Sequence, residues 1–316
     1  MTRAASALIA GLLLLTACAD AQSQEAPAAP QASPPGPDPL LQPIAPDSAH
    51  RWLGPEAPYR IHGDTYMVGF AGLDVGLIST RDGLILIDGA LPQAVADIEA
   101  NLRTLGFRID DVKYILSTEP HFDHAGGLAA LARDSGATVV ASGPAAEVLA
   151  RGRSGPDDPQ QAWLAPFPPV QRLKPMRDGE TLTLGGVTVT ARATPGHTPG
   201  SMSWTWRSCQ DDDCRTVVFG SSLNPIAAEG YRYSAPENRA LYDGFRQTLT
   251  TLRAMPCDIL ISAHPDQAGL DQKLAVFRRQ PEPNPFIDPN ACRAYADKYE
   301  RLFETRLARE RDGTAD

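Results

Sequence analysis

The chain has 316 residues, of which 42% are apolar and 21% charged, so it is long enough to bury one large core or two small ones. Its formal net charge of −9 provides no basic surplus to neutralise phosphates, which argues against a nucleic-acid partner. The composition is that of an ordinary soluble globular protein.

Residues 1–21 have the pattern of a bacterial export signal. Arg3 precedes an apolar run over residues 7–15 that is too short to span a bilayer. The sequence Leu-Thr-Ala-Cys at residues 15–18 resembles a lipobox, which would make Cys18 the lipidated first residue of the mature protein. The sequence Ala-Asp-Ala at residues 19–21 is instead a cleavage site that would release a soluble chain. We therefore expect a periplasmic protein, either soluble or lipid-anchored to a membrane that faces the periplasm.

A proline-rich segment follows the signal. Residues 22–48 contain eight prolines and few large apolar side chains, so we expect an extended, disordered tether that belongs to no domain. Residues 49–316 are then expected to form a single domain.

Four cysteines remain besides Cys18, and an even number in an exported chain favours disulfides over free thiols. Cys209 and Cys214 lie between two strand-like runs, where a bridge would staple a hairpin. Cys257 and Cys292 would then pair by elimination and join the end of one helix to the start of the last. No Cys-x-x-Cys spacing is present to indicate a structural zinc site.

Apolar periodicity in the folded part predicts strands followed by helices, twice. In the first half, strands are predicted over residues 65–70, 75–80, 84–87, 112–116 and 137–141, and helices over 95–105 and 145–150. In the second half, strands are predicted over 181–184, 187–193, 203–207, 216–219 and 258–262, and helices over 241–252 and 270–277. This order implies two sheets packed face to face with helices outside.

Two further features complete the predicted elements. A long loop over residues 151–159 is expected on the surface near the site. Asp288 and Pro289 are predicted to cap the last helix, whose apolar face would carry Tyr295, Tyr299 and Leu302.

Four potential metal ligands fall within the six residues from Glu119 to His124. They follow the predicted strand 112–116, and α/β folds place their sites at the carboxyl ends of strands. Pro120 keeps Glu119 extended, so Glu119 and His121 project to one side while Asp123 and His124 turn elsewhere. Two ligand pairs aimed differently suit two metal ions, and this donor mixture suits zinc, with other divalent metals as alternatives. So dense a cluster favours a metal site over solvated loop side chains.

The motif Glu119-x-His121-x-Asp123-His124, followed by Ala-Gly-Gly, resembles the His-x-His-x-Asp-His signature of the metallo-β-lactamase superfamily. Glu119 replaces the usual first histidine. The resemblance extends from about Trp52 to the C-terminus. It implies an α/β fold, a four-layer αβ/βα sandwich with its site where the two halves meet.

His197 and His264 each follow a predicted strand of the second half, where the family places its remaining metal ligands. A histidine in such a loop is otherwise an ordinary polar residue. The resemblance implies two zinc sites, formed by Glu119, His121 and His197 and by Asp123, His124 and His264. No role is assigned to His50 or His62.

The resemblance also implies roles beyond metal binding. Asp123 would bind metal and orient the attacking hydroxide as a catalytic residue, and Asp88 would support the metal loop from behind. The thioesterase and ribonuclease members carry a bridging aspartate after the strand that precedes the last histidine, but no carboxylate stands there in this chain. Ser222 and Asn224 instead match positions at which the third subclass of class B β-lactamases binds the substrate carboxylate. Ordinary turn chemistry is the alternative for these two residues.

These features imply a monomeric, zinc-dependent enzyme that opens the β-lactam amide bond with a metal-bound hydroxide and so confers antibiotic resistance. One alternative is a lactone or thioester hydrolase of the same fold. Another is a zinc-binding lipoprotein without catalytic activity.

Glu119 is the main departure from the family pattern. A carboxylate in place of an imidazole adds negative charge to the first metal, which would make that metal a weaker Lewis acid. The alternative is that Glu119 points to solvent, leaving His121 and His197 to hold the metal with water.

Overall fold

The computed structural model describes residues 36–314. The predicted export signal, Cys18 and the first part of the predicted tether lie outside the described residues. Within residues 36–314, no helix is both long enough and apolar enough to cross a membrane.

Seven strands form the first sheet and are neighbours in chain order. They are β1 (Tyr59–His62), β2 (Thr65–Met67), β3 (Gly76–Thr80), β4 (Gly83–Ile87), β5 (Val112–Leu116), β6 (Thr138–Ser142) and β7 (Leu173–Met176). Strands β1 to β4 pair antiparallel, whereas β4 to β7 pair parallel. The carboxyl ends of β4, β5 and β6 therefore meet at one edge of this sheet.

Five strands form the second sheet, in the order β12-β11-β10-β9-β8. They are β8 (Thr181–Leu184), β9 (Val187–Ala193), β10 (Met202–Gln210), β11 (Asp213–Gly220) and β12 (Ile259–Ser262). Only β11 and β12 pair parallel, and the remaining pairs are antiparallel.

Nine α-helices accompany the sheets in the part of the chain that the structure describes. They are α1 (Ala49–Trp52), α2 (Val95–Thr104), α3 (Phe122–Ala125), α4 (Leu128–Ser135), α5 (Gly143–Arg151), α6 (Arg239–Ala254), α7 (Pro265–Ala268), α8 (Leu270–Arg279) and α9 (Ala291–Asp312).

Side-chain alternation along the strands produces the layers. In β4, Leu84 and Leu86 pack with α2, α4 and α5, while Ile85 and Ile87 join the core between the two sheets. In β11, Phe219 joins that same inter-sheet core, and its neighbour Val218 packs with α6 and α9. Both faces of β4 and of the carboxyl half of β11 are therefore covered, and these stretches are apolar on both sides. The predicted four-layer αβ/βα sandwich is confirmed.

The last helix differs from the prediction in its start and in its apolar face. The Asp288 carboxylate accepts a hydrogen bond from the backbone of Asn290 at 3.0 Å, and its own backbone amide donates to Asp258 at 2.8 Å. Asp288 is thereby tied to the start of β12, so α9 begins only at Ala291. Leu302 is 43% exposed, whereas Phe303 is fully buried, because burial follows every fourth residue after Tyr295.

The compact unit begins at Pro37, so residues 37–48 of the predicted tether pack with the domain. Pro39–Leu41 forms a short 3₁₀ helix, and Leu40, Leu41 and Ile44 pack against the core of the first sheet. The Gln93 side chain binds both backbone groups of Ile44, at 3.2 and 2.7 Å. These three apolar side chains are partly buried despite the surrounding prolines, and their burial stabilises this part of the segment against the first sheet.

Both predicted disulfides are present. Cys209 and Cys214 stand directly opposite each other in the β10–β11 hairpin, and Cys257 is bonded to Cys292 near the start of α9.

Candidate metal centre

The metal loop leaves β5 and is fixed from behind by Asp88, which follows β4. One Asp88 carboxylate oxygen accepts a hydrogen bond from the Thr118 backbone amide at 2.7 Å, and the other accepts one from the Thr118 hydroxyl at 2.6 Å. Asp88 is fully buried, and burial raises the pKa of its carboxyl group. The structure thus places Asp88 beneath the loop, where the sequence predicted it.

The loop then turns sharply into α3. His121 has extended backbone angles, φ −87° and ψ 149°, and precedes the first helical residue. Asp123 and His124 lie inside that helix turn, so their side chains leave in a different direction from those of Glu119 and His121. The chain supplies the other two histidines from the second sheet, with His197 after β9 and His264 after β12.

These elements bring all six predicted ligands into two adjacent groups. One group consists of Glu119, His121 and His197, and the other of Asp123, His124 and His264. Within each group, one potential ligand atom from every residue lies within 4.8 Å of the others. Five of the six residues are buried, and His264 is partly exposed.

Hydrogen bonds to the second ring nitrogen orient the histidines. His197 Nδ1 donates to the Asn224 carbonyl at 2.7 Å, and His264 Nδ1 donates to the Gly72 carbonyl at 3.0 Å. In both rings Nε2 is therefore the acceptor nitrogen, the form that a metal requires, and in His197 the side-chain amide nitrogen of Gln160 lies 3.1 Å from it.

Two buried atoms show that the donor set fits a metal. Glu119 Oε1 and His124 Nε2 lie 3.0 Å apart, yet neither has a hydrogen-bond partner within residues 36–314. Buried polar atoms are rarely left without partners, because their desolvation is then uncompensated. A metal ion would satisfy both atoms, and a mixture of imidazole and carboxylate ligands is typical of zinc.

Glu119 is fully buried, so the alternative in which it points to solvent was wrong. Its Oε2 accepts a hydrogen bond from the Ser222 backbone amide at 3.0 Å, and its Oε1 lies 3.7 Å from His197 Nε2. Burial alone would raise the pKa of this carboxyl group, but the neighbouring His124 and His197 rings hold it well below its usual range. Glu119 is thus an ionised carboxylate aimed into the cluster.

The two residues predicted to bind substrate occupy different places. Ser222 is fully buried, and its side chain interacts with Gln267 at 3.4 Å rather than lining the cavity. Asn224 does line the cavity, while its carbonyl orients His197. Ser222 therefore acts on the metal centre by holding Glu119, a role that the sequence did not predict.

Asp158 and Gln160 are site residues that sequence reasoning missed. Asp158 Oδ2 lies 2.9 Å from His121 Nε2, and both side chains are buried. Burial would lower the pKa of the His121 ring, but the carboxylates of Asp158, Glu119 and Asp123 together raise it. Gln160 Nε2 lies 3.1 Å from His197 Nε2. The sequence did place a loop near the site, but no local pattern distinguishes Asp158 from its exposed neighbour Asp157.

Both ligand groups open into one cavity of about 650 Å³, a size suited to a small-molecule substrate. Its floor includes His121, Asp123, His197 and His264. Apolar side chains form much of its wall, among them Trp52, whose ring centroid is 5.9 Å from that of His264. The arrangement can hold metal ions at the base of an open cleft.

Comparisons with known proteins agree with this geometry. The Metallo-beta-lactamase superfamily matches residues 69–264. A solved B3 metallo-beta-lactamase, described as the first with an active-site glutamic acid, is 49% identical to this chain. The match covers 87% of this chain and 99% of that chain, with a TM-score of 0.81. The solved Rm3 metallo-beta-lactamase is 44% identical, with 85% of this chain and 100% of that chain covered and a TM-score of 0.82.

A curated relative matches over a shorter stretch. The uncharacterized protein YobT of Bacillus subtilis (strain 168) is 33% identical over 133 residues. That stretch is 40% of this chain and 54% of YobT, so the chain spans about half the length of this relative.

Replacement of Glu119 tests whether it is a metal ligand. We expect Glu119→Ala to lose close to one zinc equivalent, because the first group keeps only two ligands, while Glu119→His retains both equivalents. Metal content after dialysis, measured by mass spectrometry, checks this. Two retained zinc ions in Glu119→Ala would contradict the assignment.

Replacement of Asp158 tests its support of His121. Loss of a carboxylate that orients a ligating histidine typically weakens metal binding by about 10- to 100-fold, and we expect Asp158→Ala to do so. Asp158→Asn keeps an acceptor oxygen and should lose less. Competition with a zinc chelator measures the affinity, and Asp157→Ala is the matched control because Asp157 is exposed. Equal affinities of the Asp157 and Asp158 variants would contradict this role.

Proposed function

Since the chain belongs to the metallo-beta-lactamase superfamily, we propose that it binds two zinc ions and hydrolyses the amide bond of β-lactam antibiotics. The observation that carries this proposal is the pair of three-residue ligand groups, each of which contributes two residues to the floor of one cavity. Two separate groups with one carboxylate each favour two ions over one.

Zinc, when bound, supplies Lewis acidity that lowers the pKa of water and polarises the carbonyl to be attacked. The residues of the chain supply position and charge. Asp123 Oδ2 lies 3.4 Å from His124 Nε2 and 3.5 Å from His264 Nε2. Burial opposes ionisation of Asp123, but the His124 and His264 rings beside it lower the pKa of its carboxyl group below the usual range. Asp123 therefore stays an acceptor that can orient the attacking water in the cavity.

The residues that follow β11 favour assignment as a β-lactamase over assignment as a thioesterase. In this chain Ser221 stands at the exit, and its hydroxyl lies 2.8 Å from that of Thr194, which in turn lies 2.9 Å from the hydroxyl of Ser203. A network of hydroxyl groups thus fills the region where a thioesterase would need a bridging carboxylate. The solved metallo-beta-lactamases that resemble this chain at 44–49% identity also support β-lactams as substrates.

Steady-state hydrolysis tests the proposal most simply. We expect the purified protein to hydrolyse a penicillin, a cephalosporin or a carbapenem, and to lose this activity on dialysis against a chelator and regain it with zinc. Turnover of lactones or glutathione thioesters alone would support the alternative hydrolase. Tight zinc binding without turnover of any ester or amide would support the non-catalytic protein.

We also propose a monomeric protein of the periplasm, anchored through Cys18. The export pattern of residues 1–21 and the two disulfides support an oxidising compartment outside the cytoplasm. Cys18→Ser should move the protein from the membrane fraction to the soluble periplasm with unchanged activity. A soluble unmutated protein that begins at Gln22 would contradict the anchor.

A further inference from the structure

Three exposed apolar side chains gather beside the metal cavity. Among the described residues, four large hydrophobic side chains are strongly exposed: Trp163 (56%), Ile226 (41%), Val276 (42%) and Leu302 (43%). Trp163, Ile226 and Leu302 all line one groove of about 270 Å³. Exposed apolar side chains that cluster in this way indicate a binding surface, whereas single ones do not.

The groove adjoins the metal cavity. Trp163, Asn224 and Ile226 line both spaces. Asn224 also accepts the hydrogen bond that orients His197, so the groove starts beside a metal ligand. From there it runs along α9, which contributes Leu302, Thr305, Arg306 and Arg309. A molecule that fills the groove therefore lies against residues that also form the wall of the metal cavity.

The far end of the groove is basic. No carboxylate is among its lining residues in the described chain. Arg306 Nε donates to Glu310 at 3.0 Å, and its guanidinium also donates to the Tyr231 carbonyl at 2.7 Å. Arg309 is exposed, and within residues 36–314 no carboxylate lies within salt-bridge distance of its guanidinium. A ligand that is apolar near the metal centre and anionic at its far end complements this surface.

We propose that the groove is a substrate subsite for the acyl arm of a β-lactam that ends in a carboxylate. The methylene or aryl part of the arm packs against Trp163, Ile226 and Leu302, and its terminal carboxylate pairs with Arg309. This inference rests on the proposed β-lactam hydrolysis. A substrate arm is favoured over a membrane or a second copy of the chain because either of these, seated on the shared walls, would obstruct the cavity.

Two penicillins that differ only at the end of the arm test the subsite. They are 6-aminopenicillanic acid acylated with adipic acid and with hexanoic acid, which have arms of equal length ending in a carboxylate or a methyl group. We expect Arg309→Gln to raise KM about 3- to 5-fold for the adipoyl compound and to leave the hexanoyl compound unchanged, as loss of an exposed ion pair predicts. In the unmutated protein, added salt should reduce the difference in KM between the adipoyl and hexanoyl compounds.

Matched variants separate the two parts of the groove. Arg311→Gln removes a charge from the same last turn of α9 outside the groove and should affect neither compound. Leu302→Ala should raise KM for both compounds, whereas Val276→Ala, an equally exposed apolar residue elsewhere, should change neither.

A binding measurement keeps this inference distinct from the proposed function. Calorimetric titration with the two alkali-opened penicilloates should show about 3- to 5-fold tighter binding of the adipoyl compound, lost in Arg309→Gln. If neither penicillin is hydrolysed, the proposed function is wrong. If Arg309→Gln affects both arms equally or neither, the subsite is wrong. A Leu302→Ala variant that alters only self-association or vesicle binding also overturns it and points to another occupant.

Discussion

The site depends on one fully buried carboxylate, that of Glu119, which lies next to histidines of both ligand groups. Glu119 Oε1 lies 3.0 Å from His124 Nε2, in one group, and 3.7 Å from His197 Nε2, in the other. A buried, ionised carboxylate with no water and no partner would strongly destabilise the folded protein. Positive charge therefore has to lie beside it. Protonated histidines can supply that charge, and so can metal ions. Folding of this loop and metal binding are therefore coupled through one side chain.

The sandwich fold brings the ends of strands from both sheets close to the Glu119 carboxylate. The first sheet contributes the loop after β5 and the supporting Asp88 after β4. The second contributes His197, Ser222 and His264 after β9, β11 and β12. Ser222 matters through its backbone amide, which donates to Glu119 Oε2 at 3.0 Å. Such a charge-assisted hydrogen bond favours the ionised carboxylate and fixes which oxygen faces the metals.

The six candidate ligands could be named from the sequence partly through a local motif and partly through the family resemblance. Four stand in one short motif after a clear strand. His197 and His264 also follow predicted strands, but only the resemblance distinguished them from ordinary loop histidines. The position of Ser222 could not be predicted, because the direction of its side chain depends on how the two sheets meet. Asp158 could not be distinguished from Asp157, since burial of one and exposure of the other follows from the path of a loop.

Apolar pattern was also an incomplete guide at both ends of the chain. Leu302 and Phe303 are both apolar, so either could lie on the buried face of α9. Only Phe303 continues the four-residue spacing of Tyr295 and Tyr299, and it is the one that is buried. At the other end, proline content obscured Leu40, Leu41 and Ile44, which pack on the first sheet because a complementary apolar surface is present there. At both places, tertiary contacts determine which apolar side chains are buried, and local composition does not.

Anomalous diffraction at the zinc edge from crystals of the zinc-loaded protein tests the central claim most directly. The account predicts two zinc peaks, with a Glu119 oxygen about 2.0 to 2.2 Å from the zinc that His121 and His197 also bind. A single peak, or a Glu119 carboxylate that contacts no zinc and remains against His124, would contradict it.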